Sequence, residues 1–177
     1  MRAAAIDIGS NSVKLSVGEM KDCGTLHLLR RSRVVLQLGR QCEDHGSLGQ
    51  DMIDKVARTV RDMQMLAMQD DASAIAVVAT SAAREASDGQ ALQMAVQDAT
   101  GLDCHLITGE QEALLSWSGL QERVGNLDHA AMVDIGGGST EVVIKTLQSP
   151  LHVVSMPLGA IRLSMRHQTG GLTPSDR

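Results

Sequence analysis

Apolar residues near the N-terminus change from a continuous run to strict alternation within twenty positions. Residues 3–8 form a short apolar segment that ends at Gly9, and the segment VKLSVGEM after the turn alternates apolar with polar residues. Both patterns are typical of β-strands when turn residues bound them. The pattern therefore predicts a β-hairpin. The stretch TLHLLRRSRVVLQLG predicts a third strand, and DHGSLG predicts the loop that follows it.

Three later segments have the apolar spacing of an α-helix. Residues 53–67 repeat apolar positions three and four apart, and residues 88–100 do the same before a glycine. Thr108 and Gln111 have capping-box spacing for a third helix that runs through Leu120. The apolar segments SAIAVVATS and LDCHLIT predict strands between these helices. The predicted order is β-β-β-α-β-α-β-α.

The hairpin sequence returns in the second half of the chain. MVDIGGGSTEVVI, at residues 132–144, matches AAIDIGSNSVKLSV, at residues 4–17, with an offset of 127 residues from Asp7 to Asp134. We interpret this as a duplication, with a first lobe at residues 1–124 and a second at residues 125–177. Two or three further strands are expected between residues 130 and 165. Because the second repeat has less than half the length of the first, we expect its lobe to be incomplete.

Composition narrows the class of protein and its partners. Apolar residues make up 43% of the 177 residues, which indicates a globular chain, and the net charge of −5 argues against sequence-independent binding to nucleic acid or a membrane surface. The three cysteines are odd in number and have no CxxC spacing, so neither a disulfide framework nor a zinc site is indicated. This favours a protein from a reducing compartment. With no signal-peptide pattern and no run of about 18 apolar residues, we expect a cytoplasmic protein.

Each copy of the repeat places an Asp at the end of a strand and glycine and serine in the turn. Glycine lets backbone N–H groups converge on an anion without obstruction from a Cβ, and a hydroxyl adds a donor. An Asp in contact with phosphate would repel it, so we expect the Asp to hold Mg²⁺. A glycine-rich hairpin is often only a turn, but the duplication favours a pair of loops that bind neighbouring phosphates across a cleft.

Five segments in this order and spacing resemble the Ppx/GppA phosphatases: AAIDIGSNSVKL, ATSAAREA, ITGEQEALL, VDIGGGSTEVVI and PLGAIRL. The resemblance extends from residue 3 to about residue 167. It implies the α/β class with a mixed sheet and the two-lobed actin-like, ribonuclease H-like ATPase fold. It also implies an enzyme that removes the terminal phosphate of polyphosphate or guanosine pentaphosphate with Mg²⁺.

The resemblance assigns roles position by position. Glu112 falls on the catalytic base, which orients and deprotonates the attacking water, and Asp134 falls on a carboxylate that is both catalytic and metal-binding. Arg84 is expected to reach substrate phosphate. The remaining positions are the metal ligands Asp7 and Glu141, the first-loop phosphate contacts Ser10, Asn11 and Ser12, and the second-loop contacts Gly136, Gly137, Gly138 and Ser139.

Several alternatives stay open at this point. The arginines at residues 30–33, with Arg40, could guide a polyphosphate chain, but a solvated strand face is the commoner use of such a run. The same fold houses sugar and acetate kinases, so a phosphotransferase is one rival, and a catalytically silent phosphate or alarmone sensor is another. An incomplete lobe should expose a sheet edge and permit a homodimer. The sequence does not rank polyphosphate against guanosine pentaphosphate.

Overall fold

The structure is a computed structural model that describes residues 1–21 and 24–169, with side chains described through residue 166. Its internal contacts divide the chain into two compact units, Met1–Leu106 and a second that begins at Ile107. Each unit contains one sheet. Within the described ranges, no helix combines the length and apolarity that crossing a bilayer requires.

The first unit is built on a five-stranded mixed sheet with the strand order β3-β2-β1-β4-β5. Its elements are β1 (Arg2–Ile8), β2 (Ser12–Met20), β3 (Leu26–Val35), α1 (Leu38–His45), α2 (Gln50–Gln69), β4 (Ala74–Ala79), α3 (Ser81–Glu85), α4 (Gly89–Thr100) and β5 (Cys104–Leu106). The strands β1, β2 and β3 are antiparallel, whereas β4 and β5 continue parallel to β1. The predicted α/β class and mixed sheet are confirmed.

The apolar alternation of the hairpin places its residues in one core. Ile6 and Leu15 are fully buried and belong to the same apolar cluster as Val56 and Val60 of α2. Burying an aliphatic side chain of this size contributes about 1.5–3 kcal/mol relative to exposure. The sheet face that carries Ile6 and Leu15 is therefore the inner face of the first unit.

The helix α1 replaces the end of the predicted third strand and the start of the predicted loop. β3 ends at Val35, and Gln37 adopts a left-handed conformation with φ of 58° before α1 begins. Leu38 then turns into the core, where it is fully buried. The strand-like reading through residue 39 was wrong because one left-handed residue without a glycine ends the strand and gives no signal in the sequence.

The second unit is built on a three-stranded antiparallel sheet, covered on one face by a helix. Its elements are α5 (Gly109–Val124), β6 (Ala130–Ile135), β7 (Thr140–Thr146), β8 (Ser149–Met156) and α6 (Ala160–Thr169). The strands expected after residue 130 are present, but residues 160–165 form the start of α6 and not a strand. The segment Pro157-Leu158-Gly159 separates β8 from this helix.

The helix α5 packs on the second sheet. Ala113 and Trp117 are buried in one cluster with Met132 of β6 and Val143 of β7. The compact units therefore divide before α5, whereas the predicted lobes divide after it, at residue 124. The assignment of these units to two actin-like lobes with that boundary stays a prediction.

Arg30 connects the edge strand β3 to the end of α2. Its Nη2 donates to Asp70 Oδ1 at 2.9 Å, and its Nε also donates to Asp70 Oδ2. These hydrogen bonds from Arg30 hold the pKa of the Asp70 carboxyl below its ordinary value. Arg30 thus connects two elements of the first unit, β3 and the C-terminal end of α2.

The Arg30–Asp70 pair predicts a pH dependence of stability. Because the folded-state pKa of Asp70 is lowered from 3.8, its contribution is complete above that value and is lost as the pH falls below it. We expect urea unfolding to show a constant difference between wild type and Asp70→Asn above about pH 5 and a shrinking one in acid. Asp62→Asn, an exposed change on α2, is the control. A difference that grows in acid would contradict this.

A second prediction concerns the start of α5, where the expected capping box is present. The Gln111 N–H donates to Thr108 Oγ1 at 3.1 Å, and the Thr108 N–H donates to Gln111 Oε1 at 2.8 Å. Thr108→Ala should lower the free energy of unfolding by about 1 kcal/mol, while Thr108→Ser should lower it by much less. Equal urea midpoints for the alanine and serine variants would refute this role.

Candidate active site

The two glycine turns have the same hydrogen bond. The Gly9 N–H donates to Ser12 O at 3.1 Å, and the Gly136 N–H donates to Ser139 O at 2.9 Å. A Cβ at Gly9 would lie 3.3 Å from Ser12 O, and a Cβ at Gly136 would lie 3.1 Å from Ser139 O. The duplication seen in the sequence therefore extends to the backbone geometry.

The carbonyl groups of the first turn bond to the segment that begins α1. Ser10 O accepts from the Gly39 N–H at 2.7 Å, while Asn11 O accepts from the N–H groups of Leu36 at 3.1 Å and Gln37 at 3.0 Å. In a planar trans peptide, the N–H of the next residue points opposite to the carbonyl. The N–H groups that follow these two carbonyls therefore point away from α1.

The second turn has the same relation to α6. Gly136 O accepts from the Ala160 N–H, and Gly137 O accepts from the Ile161 N–H, both at 2.9 Å. The N–H groups of Gly137 and Gly138 consequently point away from the helix. Successive N–H groups aimed to one side of a turn form the kind of nest that binds anions.

Gly159 fixes the distance between the second turn and α6. A Cβ at this position would collide with the carbonyl oxygen of Gly137, and Gly159 itself is buried. Thr140 Oγ1 also donates to Leu158 O, next to this contact. The sequence reasoning gave Gly159 no role. The repeated pair Leu-Gly at the start of α1 and before α6 was the available signal.

Two carboxylates face each other beside the second turn. Asp134 of β6 lies directly opposite Glu141 of β7, and Glu141 is only 2% exposed. Ser155 Oγ donates to Glu141 Oε1 at 2.8 Å, and Ser116 Oγ donates to Asp134 Oδ2 at 2.8 Å. Like charges at opposite positions destabilise a sheet, so this arrangement is favourable when a cation is bound. Sequence reasoning missed both serines.

Glu112 lies on the helix that contacts Asp134. It occupies the first turn of α5, where the helix dipole favours a carboxylate, and one of its carboxylate oxygens is buried. Ser116, one turn later on the same face of α5, donates to Asp134. Glu112 and Asp134 are thus positioned on the same side of the second sheet. Glu110, in contrast, is exposed.

The predicted residues of the first loop gather at one edge of the first sheet. Ser10 and Ser12 are buried at the turn, and Asp7 is the second-to-last residue of β1. Because β1 and β4 are parallel, α3 begins at the same edge, where the Thr80 N–H donates to Ile8 O at 3.1 Å. Arg84, partly buried, belongs to α3.

The fold is that of the actin-like ATPases. The PilM–PilN type IV pilus biogenesis complex contains a chain that matches 97% of this one with a TM-score of 0.63 at 14% identity, a likeness in fold alone. A model of the Ppx/GppA phosphatase family matches residues 16–174. The chain belongs to this family.

Named relatives and one further solved structure extend the comparison. Exopolyphosphatase 1 of Mycobacterium tuberculosis is 28% identical over 93% of this chain and 48% of its own length. The guanosine-5'-triphosphate,3'-diphosphate pyrophosphatase of Pseudoalteromonas atlantica is 26% identical over 94% of this chain and 33% of its own length. An exopolyphosphatase structure from Cytophaga hutchinsonii matches with a TM-score of 0.85 at 27% identity, over 94% of this chain and 53% of that one. This chain spans about half the length of such relatives, or less.

The close contact at Gly159 generates a stability prediction with an internal control. Gly159→Ala should destabilise the protein by about 1–3 kcal/mol because the turn must move away from α6. Gly119→Ala, at a helical position with open space around it, should stabilise by up to about 1 kcal/mol. Urea unfolding measures both. Opposite signs for the same chemical change support the contact, and equal effects would contradict it.

Proposed function

We propose that this chain carries phosphate-binding and catalytic residues of a Mg²⁺-assisted phosphoanhydride hydrolase, which acts on polyphosphate or guanosine pentaphosphate. The observation that carries the proposal is the Ser116–Asp134 hydrogen bond, 2.8 Å long, because it ties the helix of Glu112 to the carboxylate beside the second turn. The names of the relatives from Mycobacterium tuberculosis and Pseudoalteromonas atlantica support the substrate class.

The donor set beside the second turn fits a magnesium ion. Asp134 and Glu141 would hold it, since Mg²⁺ prefers oxygen ligands. In the part of the chain that the structure describes, no three acidic, histidine or cysteine side chains form a fuller ligand set. Mg²⁺ usually binds through one or two carboxylates together with water and substrate phosphates, so two carboxylates are sufficient. When bound, the ion would supply positive charge to the phosphate oxygens.

The reaction assigned to these residues is attack of water on the terminal phosphorus. Glu112 orients the water and accepts its proton as the new P–O bond forms, and the bond to the bridging oxygen breaks. The N–H groups of Gly137 and Gly138 donate to the oxygens on which negative charge accumulates. Arg84 and the first turn are assigned to phosphate binding.

The experiment is phosphate release from polyphosphate and from guanosine pentaphosphate, side by side, with Mg²⁺ omitted and restored. We expect release that requires Mg²⁺, and Glu112→Gln should lower the rate by about 10²-fold or more while leaving substrate binding within a factor of about two. Glu110→Gln, an exposed carboxylate in the same helical turn, should keep the wild-type rate.

The outcomes separate the rival functions. Transfer of phosphate from ATP to an added sugar or acetate acceptor, without release of orthophosphate, would indicate a phosphotransferase. Mg²⁺-dependent binding of either substrate without release would indicate a sensor. A Glu112→Gln variant that releases phosphate at the wild-type rate would remove Glu112 from its assigned role.

A further inference from the structure

Asp88 is at the N-cap of α4, but its carboxylate does not cap that helix. An Asp at an N-cap ordinarily accepts from a backbone N–H two or three residues later in its own helix. The side chain of Asp88 makes no such bond. It accepts instead from the Leu48 N–H at Oδ1 and from the Gly49 N–H at Oδ2, each at 2.8 Å. Both oxygens therefore bind the segment that connects α1 to α2.

These two hydrogen bonds are not an ordinary cap of α2 either. A capping side chain accepts from the second or third N–H of the helix, which in α2 belong to Asp51 and Met52. Asp88 binds the N–H groups of the two residues before α2, and the first of these, Leu48, is fully buried. Because a buried donor is costly to leave unsatisfied, the carboxylate holds this connection firmly in place.

The connection held by Asp88 continues into the helix that supports the first turn. Gly46 is at the C-terminal end of α1, and its carbonyl accepts from the Ser87 N–H at 3.0 Å, which adds a second bond at the same junction. At the opposite end of α1, the Gly39 N–H donates to Ser10 O at 2.7 Å. One short helix thus joins the junction at Asp88 to a carbonyl group of the first turn.

The same junction is attached to α3. Asp88 comes three residues after the end of α3, and a Cβ at the next residue, Gly89, would lie 2.0 Å from Ala83 O. The start of α4 therefore lies in close contact with α3. Since α1 packs on α3, and α3 carries Arg84, the junction at Asp88 connects the supports of both the first turn and Arg84.

We infer that Asp88 is a positioning residue for phosphate binding, which acts through α1 and touches no substrate itself. This role rests on the proposed function for its ligand class, condensed phosphate. Without the carboxylate, α1 loses its hold at one end, and the bonds of Ser10 and Asn11 to the start of α1 are kept in fewer molecules. The apparent affinity for phosphate then falls with the fraction of molecules in which the first turn is in place.

The competing explanation is that Asp88 only stabilises α2 and the first unit. Asp70 provides the comparison, because it lies at the opposite end of α2 and its carboxylate is likewise held, by Arg30 of β3. Asp70→Asn weakens the first unit at a contact that does not involve α1. A loss of stability alone would therefore give the Asp88 and Asp70 variants the same effect on phosphate binding.

Amide hydrogen exchange followed by NMR tests the positioning role without any ligand. At equal global stability, Asp88→Ala should speed exchange of the Gly39 N–H by about tenfold relative to Asp70→Asn, because local opening at the start of α1 becomes more frequent. Asp88→Asn keeps one acceptor oxygen at the same reach, so its effect should be only about threefold. Faster exchange confined to Leu48 and Gly49, or equal Gly39 rates in Asp88→Ala and Asp70→Asn, would overturn the inference.

Calorimetry with inorganic tripolyphosphate and Mg²⁺ tests the consequence for binding. Asp88→Ala should weaken binding by about tenfold and Asp88→Asn by about threefold, while Asp70→Asn should bind like wild type. Wild-type affinity in Asp88→Ala, or an equal loss in Asp70→Asn, would overturn the inference. If Asp88→Ala does not fold, the comparison of Asp88→Asn with Asp70→Asn decides in the same way. A wild-type chain that binds no tripolyphosphate would contradict the proposed function, and the exchange rates would then decide the role of Asp88.

Discussion

The hydrogen bonds between each turn and the helix after its third strand are the constraint on which both loops depend. In both turns, carbonyl groups accept from amides at or just before the first turn of that helix, at 2.7–3.1 Å. Because the peptide group is planar, this fixes N–H groups on the opposite side of each turn. The anion-binding character that we propose for the turns then resides in the backbone. This explains how the first turn can contain Asn11 where the second contains Gly138 and still have the same geometry.

The sequence predicted the elements whose signals are local. The hairpins, α2 and the capping box of α5 follow from apolar spacing and from residues no more than four apart. Three helices were not predicted. The helix α3 has only five residues, too few to show a periodic pattern. The helix α1 depends on the left-handed Gln37, and the start of α6 depends on bonds to Gly136 and Gly137 more than twenty residues earlier. Interactions between segments distant in the chain leave no periodic pattern.

The residues of the candidate site also divide into those that the sequence indicates and those that only the structure reveals. The resemblance supplied Glu112 and Asp134, but the hydrogen bond of Ser116 to Asp134 required coordinates, because nothing local to α5 indicates which strand it contacts. The exchange of Lys14 for Glu141 is visible in the aligned repeats. Only the strand register shows that each of these residues lies directly opposite the Asp of its own loop.

The two duplicated sheets differ in which face a helix covers. Ile6 and Ile8 are 0% and 1% exposed in the first sheet, whereas their equivalents Val133 and Ile135 are 59% and 69% exposed in the second. In the second sheet α5 covers the opposite face, the one that carries Asp134 and Glu141. The helix that supplies Glu112 therefore occupies the polar face, and the apolar face has no equivalent of α2 among the described residues. Exposed apolar strand faces of this kind favour association in proteins generally, and the homodimer expected from the sequence stays a prediction.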